Sequence, residues 1–237
     1  MDSHRKAAMI VGVLFIIALV ASLVGGPILT QSILGDSDYL DKISLNQDQV
    51  VLGVLFKFIG AAASAGIAVM LYPILRKHNE GLALGSVGFR LIEAVFYIVA
   101  ALGILSLVSL SQDYASAGSP TASSYQILAA SMHSVNIWAG FVLGVLSFCT
   151  GALMYYYVFY QSKLIPRWLS VWGLIAIALL LTMVLSIMFD EGPVKEPSGI
   201  RILLAVPIAL QEMVLAAWLI VKGFDPSAIA SVSANQT

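Results

Sequence analysis

Charged residues are scarce in this chain, at 11% of 237 residues, whereas soluble domains carry about 25%. Hydrophobic residues make up 59% of the sequence, and the mean hydropathy is +0.94. The net charge of -1 includes no lysine or arginine cluster, so a nucleic-acid partner is not expected. A single cysteine, Cys149, excludes an intramolecular disulfide and a thiolate metal cluster. The composition indicates a protein whose solvent is the bilayer.

Motifs of familiar catalytic sites are also missing. The sequence has no His-Glu-x-x-His, no Gly-x-Ser-x-Gly and no phosphate-binding loop, so metalloproteases, hydrolases and nucleotide-dependent enzymes lack their residues. His133 is the one histidine inside an apolar run, which excludes a bis-histidine haem in the membrane. Glu93, Glu212 and His133 could offer ligands to zinc or iron, but no ligand spacing supports a metal site. We therefore predict no catalytic residue, metal or cofactor, and favour a non-enzyme.

Six apolar runs have the length of about 20 residues that a helix needs to cross a bilayer. They cover residues 7–29, 50–75, 82–110, 127–160, 166–189 and 202–221. The first run exceeds the core of a signal peptide, so we expect a retained helix. No soluble domain fits between the runs. The sequence predicts an all-α, polytopic membrane protein with six transmembrane helices in a compact bundle, and a single membrane domain over residues 1–237.

Lysine and arginine in the loops predict the orientation. If the N-terminus is inside, the inner side holds Arg5, Lys6, Arg76, Lys77, Lys163, Arg167 and Lys222, whereas the outer side holds Lys42, Lys195 and Arg201. This bias predicts a cell-membrane protein with cytoplasmic N- and C-termini. Aromatic residues flank the last inner loop, and an aromatic belt at the inner interface is expected there. Its members are Tyr155, Tyr156, Tyr157, Tyr160, Trp168 and Trp172.

Ionisable side chains inside the apolar runs are few, and each is unfavourable in lipid by about 2.5 to over 10 kcal/mol. Arg90 and Glu93 are three residues apart, so they share a helix face and can pair. Tyr97 continues that face. Glu212 lies halfway along the sixth run, after Pro207, which is expected to kink the helix. All of these side chains are expected to turn toward the bundle axis.

Two further runs carry polar residues in their outer halves. Lys57 precedes the small residues 60–66, which permit close helix contact. On the fourth run, small and polar residues recur every three or four positions, at His133, Asn136, Gly140, Gly144, Ser147 and Gly151. We predict a central polar cluster from these observations. It comprises Arg90, Glu93 and Glu212 near the middle, Tyr97 on the same face, and Lys57, His133 and Asn136 toward the outer side.

Each candidate also has a purely structural explanation. Arg90, Glu93 and Glu212 could form a buried ion-pair network that determines helix register. His133 could be a packing histidine near the outer interface. Lys57 could extend its amine to the headgroups. The sequence does not decide between these explanations and a binding site.

Three functions therefore stay open. The first is transport or sensing of a small polar solute or protons, with Glu93 and Glu212 titrating and Arg90 setting their charge. The alternatives are a non-catalytic scaffold or regulatory partner that uses the small-residue seams, and an intramembrane lipid-modifying enzyme with His133 as acid or base. Membrane lipids are expected partners, although no polybasic segment is long enough to capture anionic lipids. The oligomeric state is not determined by the sequence.

Several stretches resemble a known family. They are Arg5-Lys6-Ala7-Ala8 with Gly12, Leu71-Tyr72-Pro73-Ile74-Leu75-Arg76, Phe89-Arg90-Leu91-Ile92-Glu93, Ile165-Pro166-Arg167-Trp168-Leu169 with Trp172-Gly173, and Gln211-Glu212 with Trp218-Leu219-Ile220-Val221-Lys222-Gly223-Phe224. Over essentially its whole length the chain resembles the bacterial and archaeal membrane family called domain of unknown function 4386 (DUF4386). The resemblance implies a compact helical membrane protein with no assigned activity.

Overall fold

The structure, a computed structural model, describes residues 3–36, 38–119, 124–191 and 197–234. All regular elements in these ranges are helices, and six of them are long and apolar enough to cross a membrane. We number them spans 1 to 6: His4–Leu34, Gln47–Leu75, Glu80–Ser116, Ser124–Ser162, Arg167–Met188 and Ile200–Val221. A short helix, Tyr39–Leu45, follows span 1, and a C-terminal helix, Pro226–Ala234, follows span 6. The prediction of an all-α protein with six spans is confirmed.

Spans 1 and 4 each change from α-helix to π-helix partway along. Span 1 is α-helical over Ser3–Leu23, π-helical over Val24–Gln31 and α-helical again over Ser32–Leu34. The π segment contains Pro27, and its wider turns accommodate a residue that lacks a backbone N–H. The helix therefore continues past residue 29, where hydropathy predicted its end.

Span 4 has a similar interruption in its middle. It is α-helical over Ser124–Ile137, π-helical over Trp138–Gly144 and α-helical over Val145–Ser162. Span 6 is an unbroken α-helix through Pro207. Spans 3 and 4 also extend beyond the predicted 82–110 and 127–160, because hydropathy marks the part of a helix that lies in lipid and not its polar ends.

The six spans form a ring in chain order. Each span packs against its neighbours in the sequence, and span 6 packs against span 1 to close the ring. Gly12 permits that closure, since a Cβ there would lie 2.8 Å from the Ala216 carbonyl oxygen. With six spans, both termini lie on one side, here called the terminal face. The opposite side, which carries the Tyr39–Leu45 helix, is the distal face.

Arg5 joins the two ends of the ring at the terminal face. Its Nη1 donates to the Leu219 carbonyl at 3.0 Å, and its Nη2 donates to the carbonyls of Ile220 at 2.6 Å and Val221 at 3.1 Å. These carbonyls belong to the last turn of span 6, where the helix supplies no donors of its own. The guanidinium therefore caps span 6 and places a cation at the negative end of its dipole.

Replacement of Arg5 by Gln is expected to lower the free energy of unfolding by roughly 1.5–3 kcal/mol, the usual contribution of hydrogen bonds to a charged group. The loss would be measured as a lower Tm of the purified protein. Lys6→Gln is the matched control, since Lys6 is the adjacent cation and is exposed. Equal losses in both variants would assign the effect to net charge and not to the cap.

Candidate functional site

The ring encloses a cavity of about 410 Å³ to which all six spans contribute. Its lining begins at Gln31 and Pro197 on the distal face and ends at Arg90, Glu93 and Glu212, about halfway through the bundle. The intervening wall is mostly apolar. The ring topology explains this space, because helices packed in a circle leave their inward faces without a central partner. The cavity is therefore a candidate site entered from the distal face.

The floor of the cavity holds an ion pair. Arg90 Nη1 lies 3.1 Å from Glu93 Oε2, and both side chains are almost fully buried, with 2% and 3% exposed. The second carboxylate oxygen, Glu93 Oε1, accepts a hydrogen bond from Ser64 Oγ of span 2 at 2.8 Å. The i, i+3 spacing on span 3 places the two charges on one face, as expected. Glu93 thus has a charged or polar partner at each oxygen.

Aromatic rings and a glycine accommodate the Arg90 side chain. Its guanidinium carbon lies 4.8 Å from the Phe148 ring centre and 6.0 Å from the Tyr155 ring centre. Such cation–π contacts stabilise a desolvated guanidinium by about 2 kcal/mol. A Cβ on Gly151 would lie 3.2 Å from Arg90 Cγ. Three residues of span 4 therefore form the packing site of the Arg90 side chain.

Glu212 is the second carboxylate at the floor, and its surroundings differ from those of Glu93. It lines the cavity from span 6 and is only partly buried. Its Oε1 is buried and accepts no hydrogen bond from the described residues. Arg90 is close enough to attract it and Glu93 to repel it, but Arg90 forms its ion pair with Glu93. Glu212 is thus a cavity-lining carboxylate without a fixed partner in the described part of the chain.

Three other predicted residues line the wall above the floor. Lys57, Tyr97 and Asn136 all contribute to the cavity surface. The Asn136 amide donates to the Ala100 carbonyl at 3.0 Å, so this side chain also ties span 4 to span 3. The Tyr97 ring packs against Gly144, where a Cβ would lie 2.8 Å from Tyr97 Cε1. Six of the seven predicted residues therefore surround one cavity.

His133 is the exception. It does not belong to the cavity lining, and its ring stacks on Tyr39 of the short distal helix at 5.8 Å. The cavity lining of span 4 begins one turn later, at Asn136, and His133 packs against the short distal helix instead. The hypothesis of a lipid-modifying enzyme relied on His133, and this histidine lies apart from the acidic residues. Within the described residues, no group of three potential metal ligands occurs either.

Both π segments contribute to the cavity wall, which the sequence analysis missed. Gly26, Pro27 and Gln31 come from the first, and Gly140 and Phe141 come from the second. The available signals were the Gly-Gly-Pro triplet of span 1 and the glycine pair of span 4. π-Helical turns are frequent at functional sites, and here two of them face the same space.

The terminal half of the bundle is filled with aromatic side chains. Tyr155, Tyr156 and Phe159 are fully buried and pack with ring-centre distances of 4.5–6.3 Å. The Tyr156 hydroxyl donates to Gln211 Oε1, and Gln211 Nε2 donates to the Leu169 carbonyl at 3.1 Å. This plug separates the cavity floor from the terminal face.

The prediction of an aromatic belt is wrong for Tyr155 and Tyr156. Tyr157 and Tyr160 of span 4 are exposed at 47% and 38%, and Trp168 of span 5 at 54%, so these three remain on the outer surface. Successive residues of a helix point about 100° apart, so four aromatic residues within six positions cannot all face lipid. The ring of spans encloses the inward pair.

Gly173 on span 5 makes room for the plug. A Cβ there would lie 2.5–2.7 Å from three carbons of the Tyr156 ring, which packing and the bond to Gln211 hold in place. We expect Gly173→Ala to lower the free energy of unfolding by about 1–3 kcal/mol, the usual result of overpacking. Gly88→Ala is the control, because no atom lies within 4 Å of its Cβ position. Tm values that fall equally in both variants would contradict this packing role.

Comparison with known families gives a match over most of the chain. The family model described as "Domain of unknown function (DUF4386)" matches residues 10–223. Comparisons with curated proteins and with solved structures give no significant match. The matched range begins in span 1 and extends beyond span 6, so it contains spans 2 to 6, most of span 1 and every residue that lines the central cavity. The chain therefore belongs to the DUF4386 family.

Proposed function

We propose that this protein binds a small polar solute, or takes up protons, at Glu212 through the cavity that opens at the distal face, as a transporter or a sensor does. The observation that carries the proposal is the Glu212 carboxylate, which lines the cavity halfway through the bundle without a fixed partner. The volume of about 410 Å³ lies in the range of small-molecule sites, about 300–1,000 Å³.

The energetics support a functional role for Glu212. A carboxylate in the middle of a membrane protein is unfavourable unless it is paired, and such residues usually mark solute or proton pathways. Glu93 has its partners in Arg90 and Ser64, which fits a structural carboxylate. Glu212 has no hydrogen bond or ion pair among the described residues, so its retention is better explained by a ligand that completes the site.

The charge balance supports a cationic or protonated partner. Arg90 and Glu93 neutralise each other at the floor, and the other cation of the lining, Lys57, lies higher on the wall toward the distal face. The negative charge that remains at the floor itself is that of Glu212. In an apolar cavity of low effective dielectric, this charge attracts a proton or an ammonium-like group more strongly than it would in water. The Arg90–Glu93 pair then serves as a neutral, rigid floor, and Glu212 as the group that binds.

Transport and sensing require different movements of the aromatic plug. A transporter has to open the terminal half, which requires Tyr155, Tyr156 and Phe159 to part from span 6 and Gln211. A sensor requires only a change in packing there when Glu212 is occupied. The scaffold alternative is less well supported, because the small-residue seams pack inside the ring: Gly60 faces Ser22 of span 1, and Gly140 faces Ala100 of span 3.

Cysteine labelling tests water access to the cavity. Ala209 lines it one turn before Glu212, and Leu210, the next residue, is 56% exposed on the outer surface of the bundle. In a Cys149→Ser background, Ala209→Cys is expected to react with a membrane-impermeant methanethiosulfonate added at the distal face. Leu210→Cys is expected to stay unreactive, because thiols ionise poorly in lipid.

Adding the methanethiosulfonate at each face of the membrane in turn completes the test. The expected result is labelling of Ala209→Cys from the distal face and little from the terminal face, because the plug blocks that side. If Ala209→Cys reacts no faster than Leu210→Cys, the cavity is closed to water and the proposed function fails. Reaction from the terminal face alone would reverse the proposed direction of entry.

A further inference from the structure

A second recess lies at the terminal face, outside the ring. It measures about 560 Å³ and is formed by the ends of spans 4, 5 and 6 and the segment that follows span 6. Three cationic side chains line it: Lys163 after span 4, Arg167 at the start of span 5 and Lys222 after span 6. We call this recess the basic groove. It is distinct from the central cavity, and the proposed function assigns it no role.

The backbone holds these cations together although the chain separates them widely. Lys163 has a left-handed conformation, with φ 58°, and its N–H caps span 4 through the Phe159 carbonyl at 3.0 Å. The Lys222 N–H caps span 6 through the Trp218 carbonyl at 2.7 Å. Arg167 lies over the Tyr160 ring at 5.5 Å. All three side chains are exposed, so their charges are available to a ligand.

One acidic residue, Asp225, also lines the groove. Its Oδ1 accepts hydrogen bonds from the backbone N–H of Ser227 at 2.8 Å and from the Ser227 hydroxyl at 2.6 Å. These bonds hold the pKa of Asp225 below its usual range. Asp225 therefore acts as the N-cap of the C-terminal helix, and its charge is engaged there. Three cations against one capped carboxylate leave the groove positive.

We propose that the basic groove binds the phosphate headgroup of an anionic phospholipid. The three cations suit a phosphate. The N–H groups of Arg167 and Trp168 suit it too, because the first hydrogen bonds of span 5 begin only at Leu169, whose N–H donates to the Pro166 carbonyl. The position favours a lipid over a soluble anion, because the indole of Trp218 lines the groove, and Trp168 and Val221 beside it are exposed at 54% and 67%. Acyl chains can descend along this apolar surface while the phosphate stays in the groove.

The orientation predicted from the sequence agrees with this ligand. The terminal face is the predicted cytoplasmic side, where anionic lipids are concentrated and where basic pockets between helices bind their headgroups. No such site is predicted from the sequence alone, because the chain has no polybasic segment. Lys163 and Arg167 lie 59 and 55 residues before Lys222, and only the packing of spans 4, 5 and 6 brings them together.

Titration of the full chain in detergent with phosphatidylglycerol, phosphatidylcholine or inorganic phosphate tests the proposal, with Tm as the readout. Phosphatidylglycerol is expected to raise Tm, and neither of the other two probes is. In Lys163→Gln/Arg167→Gln/Lys222→Gln, the half-saturating concentration of phosphatidylglycerol should rise roughly five-fold for each cation removed. The control Lys6→Gln/Arg76→Gln/Lys77→Gln removes three exposed cations of the same face outside the groove and should stay within two-fold of wild type.

Each other outcome overturns the assignment. Equal weakening in the two triple variants would indicate diffuse surface charge, and equal stabilisation by phosphatidylcholine would indicate a general lipid effect. Stabilisation by inorganic phosphate alone would indicate a soluble anion. If the groove variant does not fold, the single variants Lys163→Gln and Lys222→Gln replace it, because both retain the contact of Arg167 with the Tyr160 ring. Each single variant must then weaken phosphatidylglycerol binding roughly five-fold.

Discussion

Glu93→Gln is expected to lower the free energy of unfolding by about 3–5 kcal/mol, because it leaves Arg90 as a buried cation without its counter-charge. Arg90 is 2% exposed and lies 3.1 Å from Glu93 Oε2, so little water can reach it to replace the lost carboxylate. The substitution also weakens the hydrogen bond from Ser64. Unfolding of the purified protein in increasing denaturant would measure the loss.

Two controls make this result specific. Glu80→Gln removes an exposed carboxylate from the first turn of the same span and should change stability by no more than about 0.5 kcal/mol. The double variant Arg90→Met/Glu93→Leu should be more stable than Glu93→Gln, because removal of both charges leaves no uncompensated ion. A Glu93→Gln protein as stable as Glu80→Gln would show that the pair does not hold the floor together.

Glu212→Gln, unlike Glu93→Gln, is not expected to lower the free energy of unfolding. This carboxylate has no hydrogen bond or ion pair from the described residues to lose, so the free energy of unfolding should be unchanged or higher, by on the order of 1–3 kcal/mol. The two substitutions then change the free energy of unfolding in opposite directions, although both glutamates lie at the floor of the same cavity. Denaturant unfolding under the same conditions as Glu93→Gln would measure this difference.

The same substitution should remove the charge preference of the cavity. In the Ala209→Cys background, a cationic methanethiosulfonate should react at least about tenfold faster than an anionic one, since two unit charges some 6 Å apart interact by roughly 3 kcal/mol at an effective dielectric of 20. Glu212→Gln should bring the two rates together, and Glu212→Asp should keep them apart. If Glu212→Gln leaves the ratio of the cationic to the anionic labelling rate unchanged, Glu212 does not determine which charge the cavity admits.

Local patterns determined much of this protein. Hydropathy determined the membrane class and the six spans, because the exclusion of charge from lipid acts on each segment by itself. The i, i+3 spacing determined that Arg90 and Glu93 share a face, because helix geometry relates near neighbours regardless of the fold. The even number of spans placed both termini on one face. These results needed no knowledge of which span lies beside which.

Only the tertiary structure decided which of the polar residues meet. Glu212 lies 119 residues after Glu93 and reaches the same floor because span 6 closes the ring on span 1. His133 is excluded because its turn of span 4 packs against Tyr39 of the short distal helix, one turn before the cavity lining of that span begins at Asn136. Tyr155 and Tyr156 are buried because their side of that span faces the ring. The basic groove likewise depends on the neighbouring ends of three spans. Such contacts come from the packing of distant segments, so no periodicity or spacing within one segment encodes them.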